Sequence, residues 1–549
     1  MKRILLILLI AFGSIQVNAQ CAEGEENKIM LIGDSWAFFM FTDGTFDNVL
    51  DHWGMTQKRY FTNATLSVSG ARTEDFLEEA RMNEIENQLN SQPSLEVVHI
   101  SLGGNDFLGN WNVDFTEDET NALSDETFDE MTTLIDFIRE VRPGIQIVFS
   151  GYMYANFEEV INDAAPFEES HPFYGNWEEM GFPTFEELNT LLNGFSDRME
   201  DYADVEEGID FINVPALMQR IYGQEEPLGV DPGGTYAPYF QPLPYGDLTY
   251  PSPKVSMRDY GITRDCFHLS AEGFFYMIDY QFQKFYHKFL MDDAYLLAEE
   301  ASKNGSVNAG GDVSGLIALG GSDGTENQTV LSFNTSSLPD TVLTGASIYL
   351  RVDSIEGTSP LGETVGLTMI NGALGTDANL NPDDFDAAGE ITSSACVFGQ
   401  DDESSDWVRI DLPEEMFELI GNDGDLQFLI RSPESGSVIY FSGTDDPKFA
   451  PVFNLSFKSE FVGIDDNENF VSSKTVFLYP NPAKDQLNFY GLEDLSSYTY
   501  TVYDLQGRSF LAGTFTNGQS VNIDAISNGQ YIMVLNNNVE TIQLKFVKE

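Results

Sequence analysis

The sequence predicts an α/β domain built on a mostly parallel, three-layer sheet, followed by two all-β sandwich domains. Three observations carry that expectation. Short apolar runs alternate with helical spacing from about residue 28 to 292. From about 324 to 458 the segments turn β-type, with no long helix between them. A last stretch, 475–549, repeats that all-β texture.

In the first domain the strand signals are Lys28–Gly33 (KIMLIG), Glu96–Leu102 (EVVHISL), Ile145–Ser150 (IQIVFS) and Ile209–Val214 (IDFINV). Each is a short apolar run of the kind that is buried on both faces of a parallel sheet. Helical spacing marks Thr73–Leu89, Asp125–Val141, Thr184–Tyr202 and Ala271–Leu290, the last with Ser270 as N-cap and Glu272 in its first turn. Helices between parallel strands cover both faces of the sheet. A Gly/Ser/Asn-rich stretch, 301–324, follows. Next come the β segments Thr329–Phe333, Ser347–Val352, Trp407–Leu412, Leu426–Arg431, Val438–Ser442 and Val452–Phe457. The final domain offers Thr475–Leu478, Tyr498–Tyr503, Ser520–Ile523, Tyr531–Leu535 and Thr541–Val547. The expected division is 26–295, 300–458 and 475–549, with an acidic linker at 459–474.

Lys2 and Arg3 precede the apolar run Ile4–Phe12, and Val17-Asn18-Ala19 offers a small-residue cleavage site. Residues 1–19 therefore read as a secretory signal peptide. A lipoprotein would carry its acyl chains on Cys21, but Gln20 stands where a small residue is expected. No later run approaches 18 apolar residues, so no membrane span is expected in the mature chain. The 549 residues are 42% hydrophobic with a mean hydropathy of −0.20, enough for several cores, which excludes bulk disorder. Acidic residues number 89 against 27 basic, a net charge of −62. Such a surface repels phosphate backbones, which excludes nucleic acid as a partner, and it disfavours anionic membranes. Cys21, Cys266 and Cys396 lie too far apart for a disulfide scaffold or a zinc CxxC cluster.

Ser35, in Gly33-Asp34-Ser35-Trp36, follows the first strand and precedes the amphipathic stretch Ala37–Trp53. That is the carboxyl edge of a parallel sheet, where active sites of such folds gather, and a helix N-terminus there favours a developing oxyanion. Gly33 permits the sharp turn that exposes the hydroxyl. A serine needs a base and a group to orient it. Of the five histidines, His99 lies inside a strand, His52 and His287 on helical segments, and His171 in a loop. His268, in Asp265-Cys266-Phe267-His268, follows an irregular loop and precedes a helix, and Asp265 can turn back to hold its Nδ1–H. Cys266 beside it lacks a base of its own and reads as structural. Gly103-Gly104-Asn105-Asp106 follows the next strand, and Ser69-Gly70-Ala71 lies between it and Ser35. The N–H groups of Ser35 and Gly70 and the side chain of Asn105 together make a three-donor oxyanion hole.

Gly33-Asp34-Ser35, Gly70, Gly104-Asn105-Asp106 and Asp265-x-x-His268 resemble, in order, the four blocks of the SGNH (GDSL-type) serine hydrolase family over about residues 26–292. The resemblance implies a flavodoxin-like sheet, with Ser35 as nucleophile, His268 as base and Asp265 as its orienter. It also implies an oxyanion hole lined by Ser35, Gly70 and Asn105, and no metal or organic cofactor. Trp36 stands where leucine is commonest, beside the acyl pocket. The segments Asn327–Phe333, Leu338-Pro339, Ala346–Leu350, Phe441–Asp446 and Pro451–Phe453 look like bacterial DNRLRE-type β-sandwich domains, which are often surface or carbohydrate-binding modules. Tyr479-Pro480-Asn481-Pro482, Tyr503–Arg508, Gly529-Gln530-Tyr531 and Leu544–Lys548 resemble the C-terminal sorting domain of type IX secretion. Its implied partner is that secretion machinery, and its implied destination is the cell surface or the medium.

Two long loops, Tyr152–Pro183 and Tyr222–Ile262, carry Tyr152, Tyr154, Phe157, Phe167, Phe173, Tyr174, Trp177, Tyr236, Tyr239, Phe240, Tyr245, Tyr250 and Tyr260. These aromatics form either a mini-core of the loops or a cleft wall suited to sugar rings or an acyl chain. The expected function is an exported serine esterase that removes acyl groups, acetyl included, from a polysaccharide. The alternatives are a secreted lipase, carboxylesterase or thioesterase on lipid or small esters, and a surface adhesin whose α/β domain is inert.

Overall fold

The computed structural model describes residue 21, residues 24–458 apart from 322–324, 340, 423 and 433–435, and residues 477–548 apart from short stretches. The expected signal peptide and linker lie outside the described residues. Contacts divide the chain into compact units, one holding Glu26–Val49 and Lys58–Leu290, the other Leu50–Gln57 and Met291–Lys458.

The first unit contains a five-stranded parallel sheet of β1 (Glu26–Gly33), β2 (Lys58–Phe61), β3 (Val97–Ser101), β4 (Gln146–Ser150) and β5 (Ile209–Ile212), in the order β2-β1-β3-β4-β5. The apolar runs fill its centre: Ile29–Ile32, Val97 and Val98 are fully buried. Strand β2 (KRYF) has no apolar run to set its bounds in the sequence; two of its four residues are basic, and it pairs only at the sheet edge. Helices α1 (Ser35–Thr42) and α2 (Thr45–His52) follow β1, then α3 (Glu79–Ser91), α4 (Gly104–Leu108), α5 (Glu117–Val141), α6 (Phe157–Asn162), α7 (Tyr174–Glu179), α8 (Phe185–Ala203), α9 (Leu217–Tyr222) and α10 (Ala271–Gln281). Thr116 and Thr184 start α5 and α8 with reciprocal capping boxes to Glu119 and Glu187. Ser270 caps α10 by accepting from Gly273 N–H. The expected single helix Thr73–Leu89 is split into a 3₁₀ turn, Glu74–Leu77, and α3. A two-stranded antiparallel hairpin, β6 (Met257–Tyr260) and β7 (Thr263–Leu269), precedes α10.

The second unit is antiparallel. Eight strands pair in the order Asn327–Asn334, Ile317–Gly320, Val438–Phe441, Leu343–Glu356, Trp407–Asp411, Ile391–Gly399, Thr364–Asn371 and Asp425–Arg431. Asp425–Arg431 then pairs back onto Asn327–Asn334, so the ladder closes. Closure joins the two halves of the sandwich and seals edges that would otherwise template aggregation. Ala294–Leu297 pairs with Val452–Phe457, which places the start of this unit at Met291. The inward residues form one apolar cluster that includes Leu331, Phe333, Ile348, Leu350, Phe428 and Phe453. Trp53 stacks on Trp407, with ring centroids 5.1 Å apart and planes 18° apart, and His52 Nδ1 lies 3.0 Å from Asp406 Oδ1. Cys21 and Cys396 form a disulfide, a pairing that a separation of 375 residues hid from the sequence reading.

Trp407 is fully buried, so Trp407→Ala leaves a large void with little room to collapse. We expect it to cost this unit about 3–5 kcal/mol, read as a lower thermal or denaturant midpoint. A loss below about 1 kcal/mol would contradict the packing.

The C-terminal residues form a three-stranded sheet (Phe477–Tyr479, Gln486–Tyr490, Val521–Asn522) and a four-stranded one (Ser509–Thr516, Ser497–Asp504, Gly529–Asn536, Thr541–Lys548). They share a core that includes Leu487, Tyr498, Val502, Ile523, Met533 and Leu535.

Candidate active site

Every expected site residue sits at the carboxyl edge of the parallel sheet or on the β6–β7 hairpin. Gly33 ends β1 hard against β3: an added Cβ would come within 2.1 Å of the Ser101 carbonyl oxygen. Only glycine lets the chain turn there. Asp34 then caps α1, its Oδ1 accepting from Trp36 N–H at 2.8 Å. Ser35 follows as the first residue of α1, where a backbone N–H has no acceptor within the helix.

His268 reaches that serine by a device the sequence reading had placed in a loop. On β6–β7, Asp259 pairs with Arg264 and Met257 with Leu269, so Arg258 alone faces the four residues 265–268. The chain bulges out over those four residues. Asp265 Oδ1 holds the bulge by accepting from Phe267 N–H at 2.9 Å and His268 N–H at 2.8 Å. Its Oδ2 lies 2.8 Å from His268 Nδ1, and His268 Nε2 lies 2.7 Å from Ser35 Oγ. Asp265 is 1% exposed, Ser35 3% and His268 6%. The imidazole is clamped between Phe267 and Phe39, with ring centroids at 4.2 and 4.8 Å.

Asn105, in α4, donates from Nδ2 to Ala71 O at 2.9 Å, which brings it beside Gly70. Gly70 turns with φ +80°, and a Cβ there would meet open space. Asp106 fastens that loop by accepting from Thr73 N–H at 3.2 Å and Thr73 Oγ1–H at 3.2 Å. The Asp106 carboxyl is raised above its ordinary range by burial, with the Thr73 bonds opposing.

Asp34, which the sequence reading named in the serine motif without a role, accepts at Oδ2 from Tyr152 O–H at 2.6 Å and from Asn105 Nδ2 at 3.3 Å. Burial pushes the Asp34 carboxyl up to about 7, against the pull of the Tyr152 and Trp36 bonds. The cleft over Ser35 is walled by Trp36, Leu108, Tyr152, Met153, Leu192 and Phe267 and leaves room for little more than one small group.

The other histidines lie elsewhere. His99 Nδ1 bonds Tyr286 Oη at 2.7 Å, and burial holds its ring down near 3. His287 is likewise buried and lowered to about 3. His171 Nε2 bonds Thr263 Oγ1 at 3.0 Å. Cys266 is a free, buried thiol, pushed up by desolvation. The aromatic loops are largely a mini-core. Phe157, Phe173, Tyr174 and Trp177 pack in one apolar cluster, Tyr154 Oη donates to Tyr245 O at 2.9 Å, and Tyr236 meets Tyr250 edge-on at 5.1 Å. Tyr152 alone of the thirteen lines the cleft. Phe267 does so without having been singled out.

Residues 31–274 match the model of the GDSL-like lipase/acylhydrolase family, and residues 477–549 match that of the secretion system C-terminal sorting domain. The α/β domain therefore belongs to the GDSL-like lipase/acylhydrolase family and is an ester hydrolase domain. The C-terminal domain directs the chain through type IX secretion to the cell surface or the extracellular space. No curated protein matches the chain. Among solved structures, it is similar to a GDSL-like lipase from Bacteroides thetaiotaomicron VPI-5482 (16% identity, 48% of this chain and 88% of that one, TM-score 0.27). It is also similar to a lipopolysaccharide acetyltransferase periplasmic domain from Salmonella ser. Paratyphi A (16%, 49% and 84%, TM-score 0.27). A third is a gut microbial diltiazem-metabolizing enzyme (10%, 91% and 73%, TM-score 0.30). No helix among the described residues is long and apolar enough to cross a membrane.

Proposed function

We propose that this chain is an exported serine esterase that removes short acyl groups, acetyl included, from a polysaccharide. The observation that carries the reading is the unbroken chain from Asp265 through His268 to Ser35, with bonds of 2.8 and 2.7 Å. Ser35 Oγ attacks the ester carbonyl while His268 Nε2 takes its proton, and Asp265 holds the imidazole tautomer and steadies its charged form. The N–H groups of Ser35 and Gly70 and the Asn105 amide hold the oxyanion. His268 returns the proton to the leaving alcohol, and water attacks the acyl-enzyme through the same base. The narrow apolar cleft favours a small acyl group. The DNRLRE-like reading of the β unit adds a polymer as the alcohol side.

Chain-length profiling with p-nitrophenyl esters, beside acetate release from acetylated xylan and pectin, tests the substrate. Activity should fall by about tenfold or more from acetyl to octanoyl, since each methylene that finds no room forfeits its burial. The second reading, a lipase or carboxylesterase, is favoured by the apolar walls that Trp36, Leu108, Met153, Leu192 and Phe267 place around the serine, and it predicts the opposite trend.

A further inference from the structure

We propose that Tyr152 is a positioning residue, whose hydroxyl holds the Asp34 carboxylate so that one N–H of Asn105 is left for the oxyanion. The proposal rests on the reading of Ser35 as nucleophile and Asn105 as oxyanion donor.

Asn105 has two N–H bonds from one nitrogen. One runs 2.9 Å to Ala71 O, the other 3.3 Å to Asp34 Oδ2. An oxyanion at Ser35 needs one of them, and the longer is the cheaper to exchange. What the exchange leaves behind is a buried carboxylate, and a buried carboxylate must keep its donors. The Tyr152 hydroxyl supplies one at 2.6 Å on the same oxygen, the shortest bond that Asp34 receives from a side chain. Without it, Asp34 would draw Asn105 in and hold the amide away from the reacting carbonyl.

The placement of the ring is fixed independently of this bond. A Cβ on Gly104 would lie 2.8 Å from the Tyr152 ring, so the tyrosine lies flush against the start of the helix that carries Asn105. Tyr152 also meets Trp36 edge-on at 4.9 Å. One side chain from the segment after β4 thus touches both neighbours of the nucleophile, Asp34 and Trp36, and the turn before Asn105.

The experiment is a double-mutant cycle in the full chain on p-nitrophenyl acetate. Tyr152→Phe keeps the ring and removes only the hydroxyl. It is expected to lower kcat about 10- to 100-fold with KM within about twofold. In an Asn105→Ala background the same change should have almost no further effect, because the donor it positions is gone. Asp34→Asn removes the charge that competes for Asn105, and it should likewise make Tyr152→Phe nearly silent. Additive losses in both backgrounds, a change in KM alone, or no loss would overturn the proposal. Hydrolysis retained by Ser35→Ala would instead overturn the reading beneath it, so the two failures are separable.

Discussion

Ser35→Ala should lower kcat/KM on p-nitrophenyl acetate by about 10⁴-fold or more. Without Oγ there is no nucleophile for His268 to deprotonate at 2.7 Å, and only the donors around the carbonyl continue to lower the barrier. Alanine is the best helix former, and position 35 opens α1, so the helix and its Asp34 cap survive the change. The measurement pairs the rate with a thermal melt. An unchanged melt with hydrolysis within about tenfold of the parent would assign the activity to another residue.

Asp265→Asn should be nearly as damaging, by about 10⁴-fold in kcat, for a reason the bulge makes specific. Two backbone N–H groups, of Phe267 and His268, point at Oδ1. In the amide variant the oxygen must stay with those two donors, which turns Nδ2 toward His268 Nδ1. His268 Nδ1 must then accept, so its proton moves to Nε2, and the ring can no longer take one from Ser35. The fold should be almost unaffected, since the bulge keeps both of its bonds. Full activity in Asp265→Asn would show that the tautomer is set by something else. A collapse of the melting temperature would point to the bulge instead of the proton.

Much of this was legible in the chain. The apolar runs at 28–33, 96–102 and 145–150 became the three inner strands because a strand covered by helices on both faces has few polar positions to keep, and the run at 209–214 became the edge strand β5. Ile391–Gly399 escaped notice because its exposed positions are threonine, serine and glycine, and Thr364–Asn371 because threonine and glycine interrupt its apolar residues; both blur the alternation. The expected site residues are short-range patterns, each next to a glycine turn or a helix start, and such patterns survive in one dimension. The partners of Tyr152 do not, because the nearest of them in sequence is 48 positions away and no spacing rule reaches so far. The aromatic loops were ambiguous for another reason: a mini-core and a cleft wall use the same residues, and only the third dimension assigns them.

The bond between Cys21 and Cys396 places the whole α/β domain, and the β unit as far as Cys396, within one covalent ring. Tension applied at the front of the exported chain is carried across that link to the strand Ile391–Gly399, bypassing β1 and the serine that follows it. The same link occupies the sulfur on which a lipid tether would be built, so this ring and an acylated N-terminus exclude each other.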